Sequence, residues 1–525
     1  MSKKSEAIRL SRANPRKSAA EFRARRHPNL IHFQEDWLDY DGAAYVLIDD
    51  ATLAAEVAEF LSECRVIIKS KDGGDDKDGP FHPKRADVQE VVTALAHICN
   101  VPPGSLSPPS WLDGRTDLEP TSLIACQNGL LDITTRILYE ATPKFFTRTA
   151  LPIEYDPDAP APDRWLQFIA EITTGSEKMA RLVQEMFGYL ISNDTSQQRV
   201  FFPLGLPGSG KGTLLHMLVQ LVGKRNTHSV TIESLGGNFG LEGLVGISVC
   251  IISDMTCHDS AKLSAAANRV NMISGEDYIG VSRKFKTDLE DQMLPARVVI
   301  AGNNMPDFGE HSAAVARRVI IIPFDRSFAD NPDRQLKKKL RAELPGILNW
   351  ALEGLARLTE RGDFMIPRAC NKLRTEMLYL SDPVRGFVAE RCVINDDATI
   401  LKSDLYLEYT SYCKAMGAKP KPMEQFARAL YRLNKRIGDE RGSEGRRRVQ
   451  RFTGIAVTDG LILPPTESPP TLDDTLREFF VVDEDLVELL GGPNAVQEAV
   501  RMKPVLRDLD GGDLLRPDDA GDLLQ

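Results

Sequence analysis

The sequence predicts an α/β protein: a sheet of buried parallel strands carrying a glycine-rich phosphate loop, with an α+β N-terminal region before it and a C-terminal winged-helix-like domain after it. Three observations carry this. Four short apolar runs, VFFPLGL (200–206), GISVCIISD (246–254), ARVVIAGNN (296–304) and ARRVIIIPF (316–324), read as buried strands. The first opens into GLPGSGKGT, a glycine-rich turn followed by the helical stretch TLLHMLVQLVG (213–223). The second and third end in the polar groups Asp254 and Asn303, and open α/β sheets bind ligands at the carboxyl ends of their strands.

The other elements follow in chain order. A basic arm reaches about Arg26, and HFQEDWLDYDGAAYVLID (32–49) reads as strand, turn, strand, turning at Asp41-Gly42. Asp49-Asp50 reads as a turn, TLAAEVAEFLSEC (52–64) as a helix, KDGGDDKDGP (71–80) as a loop and 86–99 as a helix. Short strands fill 122–165, and a helical stretch runs from Trp165 to Ile191 with a break at Thr174-Gly175. Beyond Asp325 the pattern is helical to about Cys392, and 399–457 reads as helix, turn, helix and two strands around an arginine-rich hairpin. This gives an N-terminal α+β domain with its basic arm (1–118), an upstream region (119–198), the loop-bearing core (199–350), a helical extension (351–395), the winged-helix-like domain (396–460) and an acidic tail (461–525).

At 525 residues the chain has room for roughly three or four domains. No apolar run is long enough for a membrane helix, and the basic N-terminus lacks the apolar stretch of a secretory signal. None of the eight cysteines pairs at C-x-x-C spacing, so reduced, scattered thiols and a cytoplasmic setting are expected. The net charge of -10 conceals a polarity: residues 461–525 hold 15 Asp/Glu against 5 Lys/Arg, whereas 414–451 hold 12 Lys/Arg against 4 Asp/Glu. The basic block predicts phosphate contacts through Arg446, Arg447, Arg448 and Arg451.

A phosphate loop works by aiming consecutive backbone N–H groups at phosphate oxygens, and the segment Gly205, Leu206, Pro207, Gly208, Ser209, Gly210, Lys211, Gly212, Thr213 has that form. Lys211 would reach the outer phosphates of ATP. Gly212 stands where a magnesium-binding hydroxyl is usual, so either Thr213 or water takes its place. Asp254 would hold Mg²⁺ or orient the attacking water, or simply cap the next turn. Asn303 would sense the terminal phosphate, and Arg317 or Arg318 would stabilise charge on a neighbouring subunit's phosphate. The turn in ISGEDYIGVSRKFK (273–286) carries Arg283, Lys284 and Lys286, either a DNA-touching hairpin or a solvated loop.

The order of these pieces resembles the superfamily 3 helicases, AAA+-like P-loop NTPases. More closely, it is similar to the helicase part of phage and plasmid primase-helicases related to the poxvirus primase-helicase. QNGLLDITTRILYEATPKFFTRTALPIEYDPDAPAPDRW (127–165) looks like the block upstream of that motor. GLPGSGKGT resembles its Walker A, FGLEGLVGISVCIISDM (239–255) its Walker B region, NMISGEDYIGVSRKFKT (271–287) its DNA-gripping motif B′, VVIAGNNMPDF (298–308) its motif C, and AVARRVIIIPFDRSF (314–328) its arginine-finger motif. The family commonly has Glu where Asp254 stands and often Asn where Ser209 stands, and no primase is evident.

The resemblance implies a hexameric ring with ATP between neighbours, Lys211 and Asp254 acting from one side and Arg317 or Arg318 from the other. The hairpin carrying Lys284 and Lys286 would drag single-stranded DNA 3′ to 5′ from a fork, with a separate primase or DNA polymerase as partner. Two alternatives share the loop: an origin-binding or helicase-loading ATPase that does not unwind, and a nucleotide kinase of adenylate-kinase type, whose loop is also PGSGKGT.

Overall fold

The computed structural model describes residues 8–68, 77–102, 104, 106–255, 257–305, 312–330, 332–444 and 447–458. Arg446, the start of the basic arm and the acidic tail lie outside the described residues. The chain divides into two compact units, one of residues up to Gly386 with Cys413–Pro420, the other of Phe387–Tyr412 and the residues from Lys421 on.

In the first unit, helices Pro15–Arg26, Asp50–Glu63 and Arg85–Cys99 pack with a small sheet around Phe22, Trp37, Phe60 and Leu95. That sheet runs Tyr45–Ile48, Asp36–Tyr40, Ile31–Phe33, Asn100–Val101 in spatial order. Asp49-Asp50 is not a turn. The Asp49 carboxylate accepts from the Thr52 amide and caps the helix that Asp50 begins. The expected strand–turn–strand at 32–49 holds one more turn, because Gln34 and Glu35, at φ 51° and 63°, make a two-residue turn with Phe33 opposite Asp36 ahead of the one expected at Asp41-Gly42. In the expected loop at 71–80, Lys77–Pro80 is a strand paired with Arg65–Ile68, and residues 71–76 lie outside the described residues.

The middle of the first unit is antiparallel: Leu138–Tyr139, Gly129–Asp132 and Leu123–Cys126 lie side by side. Helices Asp163–Ile172 and Glu177–Ile191 follow, with the break where expected. Trp165 is fully buried against Phe168, Phe187 and Trp350.

The main sheet has five parallel strands in the order Thr227–Thr231, Val249–Asp254, Arg297–Ile300, Val200–Gly205, Val319–Phe324. Its strands feed two cores, as period-2 alternation requires when both faces are covered. Phe201 and Ile320 point into one, packed with Leu214, Leu218 and Trp350; Val200, Phe202 and Ile321 point into the other, packed with Ile252 and Val298. Because all five strands run one way, Gly205, Asp254 and Phe324 end on one edge. Gly302 continues past Ile300 to bridge Leu204 there, and Asn303 follows it.

The second unit differs from expectation at its start. Cys392–Leu401, expected as the end of a helical extension and the beginning of the next domain, is a strand paired with Arg447–Val457, which in turn pairs with Gly438–Glu444. Its polar centre, Asn395-Asp396-Asp397, conceals it in the sequence, and the pairing register shifts between Ile394 and Thr399 to absorb those residues. Helix Met423–Leu433 packs Phe426 against Tyr409 at 4.4 Å and against Phe452 of the sheet.

Candidate functional site

The shape of the 205–213 loop follows from its glycines. A Cβ on Gly205 would lie 2.1 Å from the Phe324 carbonyl oxygen, so the neighbouring strand requires glycine there. Gly208 and Gly210 sit at φ 76° and 92°, left-handed backbone that other residues adopt at a cost. Gly210 ends the turn, and helix Lys211–Val222 starts two residues earlier than the sequence pattern suggested. The unpaired N–H groups of that first turn and the positive end of the helix dipole make this an anion cradle.

Lys211 is folded into the cradle. Its Nζ donates to the carbonyl oxygens of Gly205 and Leu206, each at 2.7 Å, and to Ser209 Oγ at 3.2 Å. All three partners are neutral, and burial pushes the ammonium below its ordinary value. Leu206 stands outward, 55% exposed. At Gly212 an added Cβ would meet nothing within 4 Å, so the missing side chain leaves open space in front of the loop.

A cleft of about 630 Å³ opens over this loop, lined by Pro207 through Thr213 and by Asn303. Further side chains wall it that sequence reasoning did not single out, among them Arg164, Phe168 and Glu171 from helix Asp163–Ile172, Arg326 just after the Val319–Phe324 strand, Asp333, and Lys337 from helix Leu336–Ala342. Arg326 was within reach of the rule that strand ends carry ligands, since it stands two residues past Phe324. Arg164 pairs with Glu171 at 3.4 Å, and the Arg326 guanidinium lies over the Phe328 ring at 5.0 Å. Asp254 ends its strand on the same edge, opposite Thr231; its side chain lies outside the described residues.

Arg317 and Arg318 do not line this cleft. They end helix Ser312–Arg318 and, with Arg199, line a separate pocket of about 370 Å³. Arg199 is tied to Asp363 at 2.9 Å.

The 273–286 segment forms a hairpin of Tyr278–Val281 with Leu289–Met293. The three cations expected to face nucleic acid are not equivalent. Arg283 is 7% exposed: Nη1 reaches Asp36 Oδ1 at 3.2 Å, Nη2 donates to the Gln34 carbonyl at 3.2 Å, and Nε donates to the Thr287 carbonyl at 2.9 Å. Lys286 donates to the same Asp36 Oδ1 at 2.9 Å. Lys284 is exposed, its ammonium 5.1 Å from the Phe285 ring centroid. Arg283 is therefore a brace within the protein rather than an outward-facing cation, because a buried guanidinium needs the carboxylate it has.

In the second unit, Arg447 and Arg448 lie opposite Glu444 and Ser443 on the hairpin strands, and Arg451 lies opposite Glu440. The side chains of Arg447 and Arg448 lie outside the described residues.

The chain thus has a parallel α/β sheet with a lysine folded into a glycine loop at its carboxyl edge, the edge at which such sheets commonly bind ligands. Residues 110–174 match the family described as D5 N terminal like, and residues 204–318 match a family of unknown function (DUF5906). The first match overlaps the block that carries the sequence resemblance and supports a phage primase-helicase-like chain. The second spans Lys211, Asp254, the hairpin, Asn303 and both arginines at 317 and 318. Over 129 residues the chain is 26% identical to an uncharacterized mitochondrial protein, ymf21, of Marchantia polymorpha, covering 22% of this chain and 72% of that protein. Among solved structures it is similar to the apo C-terminal region of NrS-1, at 11% identity and a TM-score of 0.47 over 84% of this chain and 99% of that one. An A-form apo structure of the same region gives 12% identity and a TM-score of 0.41 over 57% and 78%. Overlap at that level is loose and carries no functional weight. Among the described residues no helix is long and apolar enough to cross a membrane.

Proposed function

We propose that this chain is an ATP-dependent DNA helicase of phage or plasmid replication type, working as a ring of identical subunits, six by resemblance, on single-stranded and forked DNA. The observation that carries the reading is the pairing of Lys211 and Asn303 in one cleft with the exclusion of Arg317 and Arg318 from it. In a ring, one subunit supplies the cradle and its neighbour the arginine, so an arginine outside its own cleft is what that division of labour needs.

The cradle fits a polyphosphate on two structural grounds: two positive-φ glycines that turn the loop, and a lysine held only by neutral oxygens. Lys211 can exchange those oxygens for phosphate oxygens without breaking an ion pair. Phe168 gives the cleft an apolar wall suited to a nucleobase, and Arg164, Arg326 and Lys337 outnumber the carboxylates of Glu171 and Asp333 in its lining. Mg²⁺, when bound, offsets charge on the outer phosphates. Thr213 and Asp254 are the residues that would hold it, with Thr213 supplying the hydroxyl that Gly212 lacks. The basic hairpin of the second unit would add DNA contacts through Arg446, Arg447, Arg448 and Arg451. A separate primase or DNA polymerase would act with the ring in the cytoplasm, the host's if the chain is phage-encoded.

ATP hydrolysis measured with and without single-stranded DNA, beside strand displacement on a forked duplex, tests this. DNA-stimulated hydrolysis with displacement is expected. Hydrolysis on DNA with no displacement by an assembled ring would favour a helicase loader. Phosphoryl transfer to AMP without DNA stimulation would replace the motor with a nucleotide kinase.

A further inference from the structure

The acidic residues 461–525 have no part in the DNA-motor reading, although they offset the basic second unit in charge. We propose that the segment 473–488 docks on the basic face of its own second unit and occupies it in place of nucleic acid. The inference rests on the DNA contact given to that unit under the motor reading.

The face is built by helix Met423–Leu433 with the turn and strand that follow. Phe426 and Leu430 are buried and hold the helix against its unit. Arg428 and Arg432 each stand two positions further on, about 200° round the helix, on the exposed side. Past the helix, the Arg436 amide donates to Asn434 Oδ1 at 2.9 Å and the Ile437 amide to the Asn434 carbonyl at 3.1 Å. That turn presents Lys435 and Arg436, and Arg441 is exposed on the next strand. Among the described residues Arg432, Lys435 and Arg441 meet no carboxylate. Arg428 and Arg436 reach theirs loosely, Glu424 at 3.8 Å and Asp396 at 4.0 Å, and all four side chains are more than half exposed. Solvated pairs of that kind contribute little, so these cations stay available to a denser run of negative charge. Of the nearby acids on the strand, Asp439 is held by Lys402 at 3.2 Å and Glu440 lies opposite Arg451.

The segment 473–488 supplies that run. Residues 421–458 hold ten Lys/Arg against four Asp/Glu, whereas 473–488 hold seven Asp/Glu against the single Arg477. Guanidinium and ammonium donors serve carboxylate and phosphate oxygens alike, so tail and DNA compete for the same groups. The segment begins 15 residues beyond Thr458, the last described residue, and that length spans up to about 50 Å. Phe452, only six residues before Thr458, already meets the Phe426 ring of the helix at 6.2 Å, so the reach is ample. A tether of this kind keeps its segment at about millimolar concentration near the face.

The test compares the full-length wild type with a full-length variant carrying Asp473→Asn, Asp474→Asn, Glu478→Gln, Asp483→Asn, Glu484→Gln, Asp485→Asn and Glu488→Gln. Each is titrated onto a fluorescein-labelled forked duplex read by anisotropy. At about 50 mM salt the variant is expected to bind about tenfold more tightly, the gain from removing a tethered competitor at about 1 mM whose own dissociation constant is about 0.1 mM. At about 300 mM salt the gap should fall below about twofold, because exposed charges are screened. A synthetic 473–488 peptide should displace the duplex from the variant at about 0.1 mM. With Arg432→Gln and Lys435→Gln added to both proteins, the gap should shrink to about threefold or less, as coupled sites require. Equal affinities at low salt would overturn the proposal alone. A gap without displacement by peptide up to about 1 mM would overturn it in favour of plain charge repulsion. A gap that Arg432→Gln and Lys435→Gln leave unchanged would overturn the assigned face. Two proteins that both fail to bind the duplex would overturn this proposal and the motor reading beneath it.

Discussion

Two places in the first unit hold a buried cation, Lys211 at one and Arg283, with the more exposed Lys286, at the other, and they hold them in opposite ways. At the glycine loop, Lys211 rests on two backbone carbonyls and a serine hydroxyl, all neutral. At the hairpin, Arg283 and Lys286 share the carboxylate of Asp36, which is only 7% exposed. Neutral partners leave a cation's charge available to an incoming anion, while an ionised partner neutralises it and fixes it in place. On the proposed reading one site receives phosphate and the other holds a loop rigid, although both look alike as basic residues in sequence.

The sharpest way to break the comparison is at Lys211. Lys211→Ala is expected to abolish ATP hydrolysis, by at least about a thousandfold, with DNA affinity largely kept because the basic second unit is untouched. Equal loss of hydrolysis and binding would contradict that separation of roles. Next in size is Asp36→Ala, which removes the buried carboxylate of Arg283 and leaves it only the half-exposed Glu35, at 3.6 Å. It should destabilise the protein by about 3 kcal/mol in denaturant unfolding. Where the protein remains folded, the released Lys286 should steepen the salt dependence of DNA binding by about one unit of slope. An unchanged unfolding midpoint would mean that the brace contributes nothing.

The vacant position at Gly212 offers a finer test of the receiving site. Thr213→Ala should lower ATP turnover about tenfold or more if that hydroxyl serves the metal. Adding Gly212→Ser, whose Cβ has open space around it, should restore part of the loss. Equal activity in Thr213→Ala and wild type would assign the place to water.

The smallest effect tests ion pairing of the hairpin's kind elsewhere in the N-terminal region. His27 Nδ1 meets Asp39 Oδ2 at 2.7 Å and Nε2 meets Glu56 Oε2 at 2.6 Å. The Asp39 hydrogen bond foremost, and then Glu56, outweigh burial and raise the imidazole above its ordinary value. A raised value means that the folded state binds the proton more tightly. The contribution is therefore full below about pH 6.5 and lost as pH rises through the folded value. With solvent screening it should amount to about 1 kcal/mol or less. Unfolding free energies of wild type and His27→Gln measured across pH 5.5 to about 8 should converge at the alkaline end; parallel curves would show that the imidazole is not charged in the fold.

Much of the loop was legible in the sequence because its determinants are local. Glycines at 208 and 210 are needed for the turn they themselves make, and the apolar run before them and the helix after them are read within a few residues. The alternation of Phe201 and Phe202 between two cores likewise follows from strand geometry alone. Asp49 was misread because an aspartate before a helix and an aspartate in a turn have the same local signal, and only the Thr52 amide distinguishes them. Cys392–Leu401 was missed because its central acids break the strand pattern, and its partner strand begins about 50 residues later.

What the sequence by itself determined is the set of local backbone shapes and the order of the motifs along the chain. Which groups meet was decided only by the tertiary structure. Asp36 joins Arg283 and Lys286 across roughly 250 residues, and Arg164 and Arg326 reach one cleft from opposite sides of the glycine loop in sequence. Local geometry is set by each residue's own torsional limits, whereas these meetings depend on packing both faces of the sheet at once.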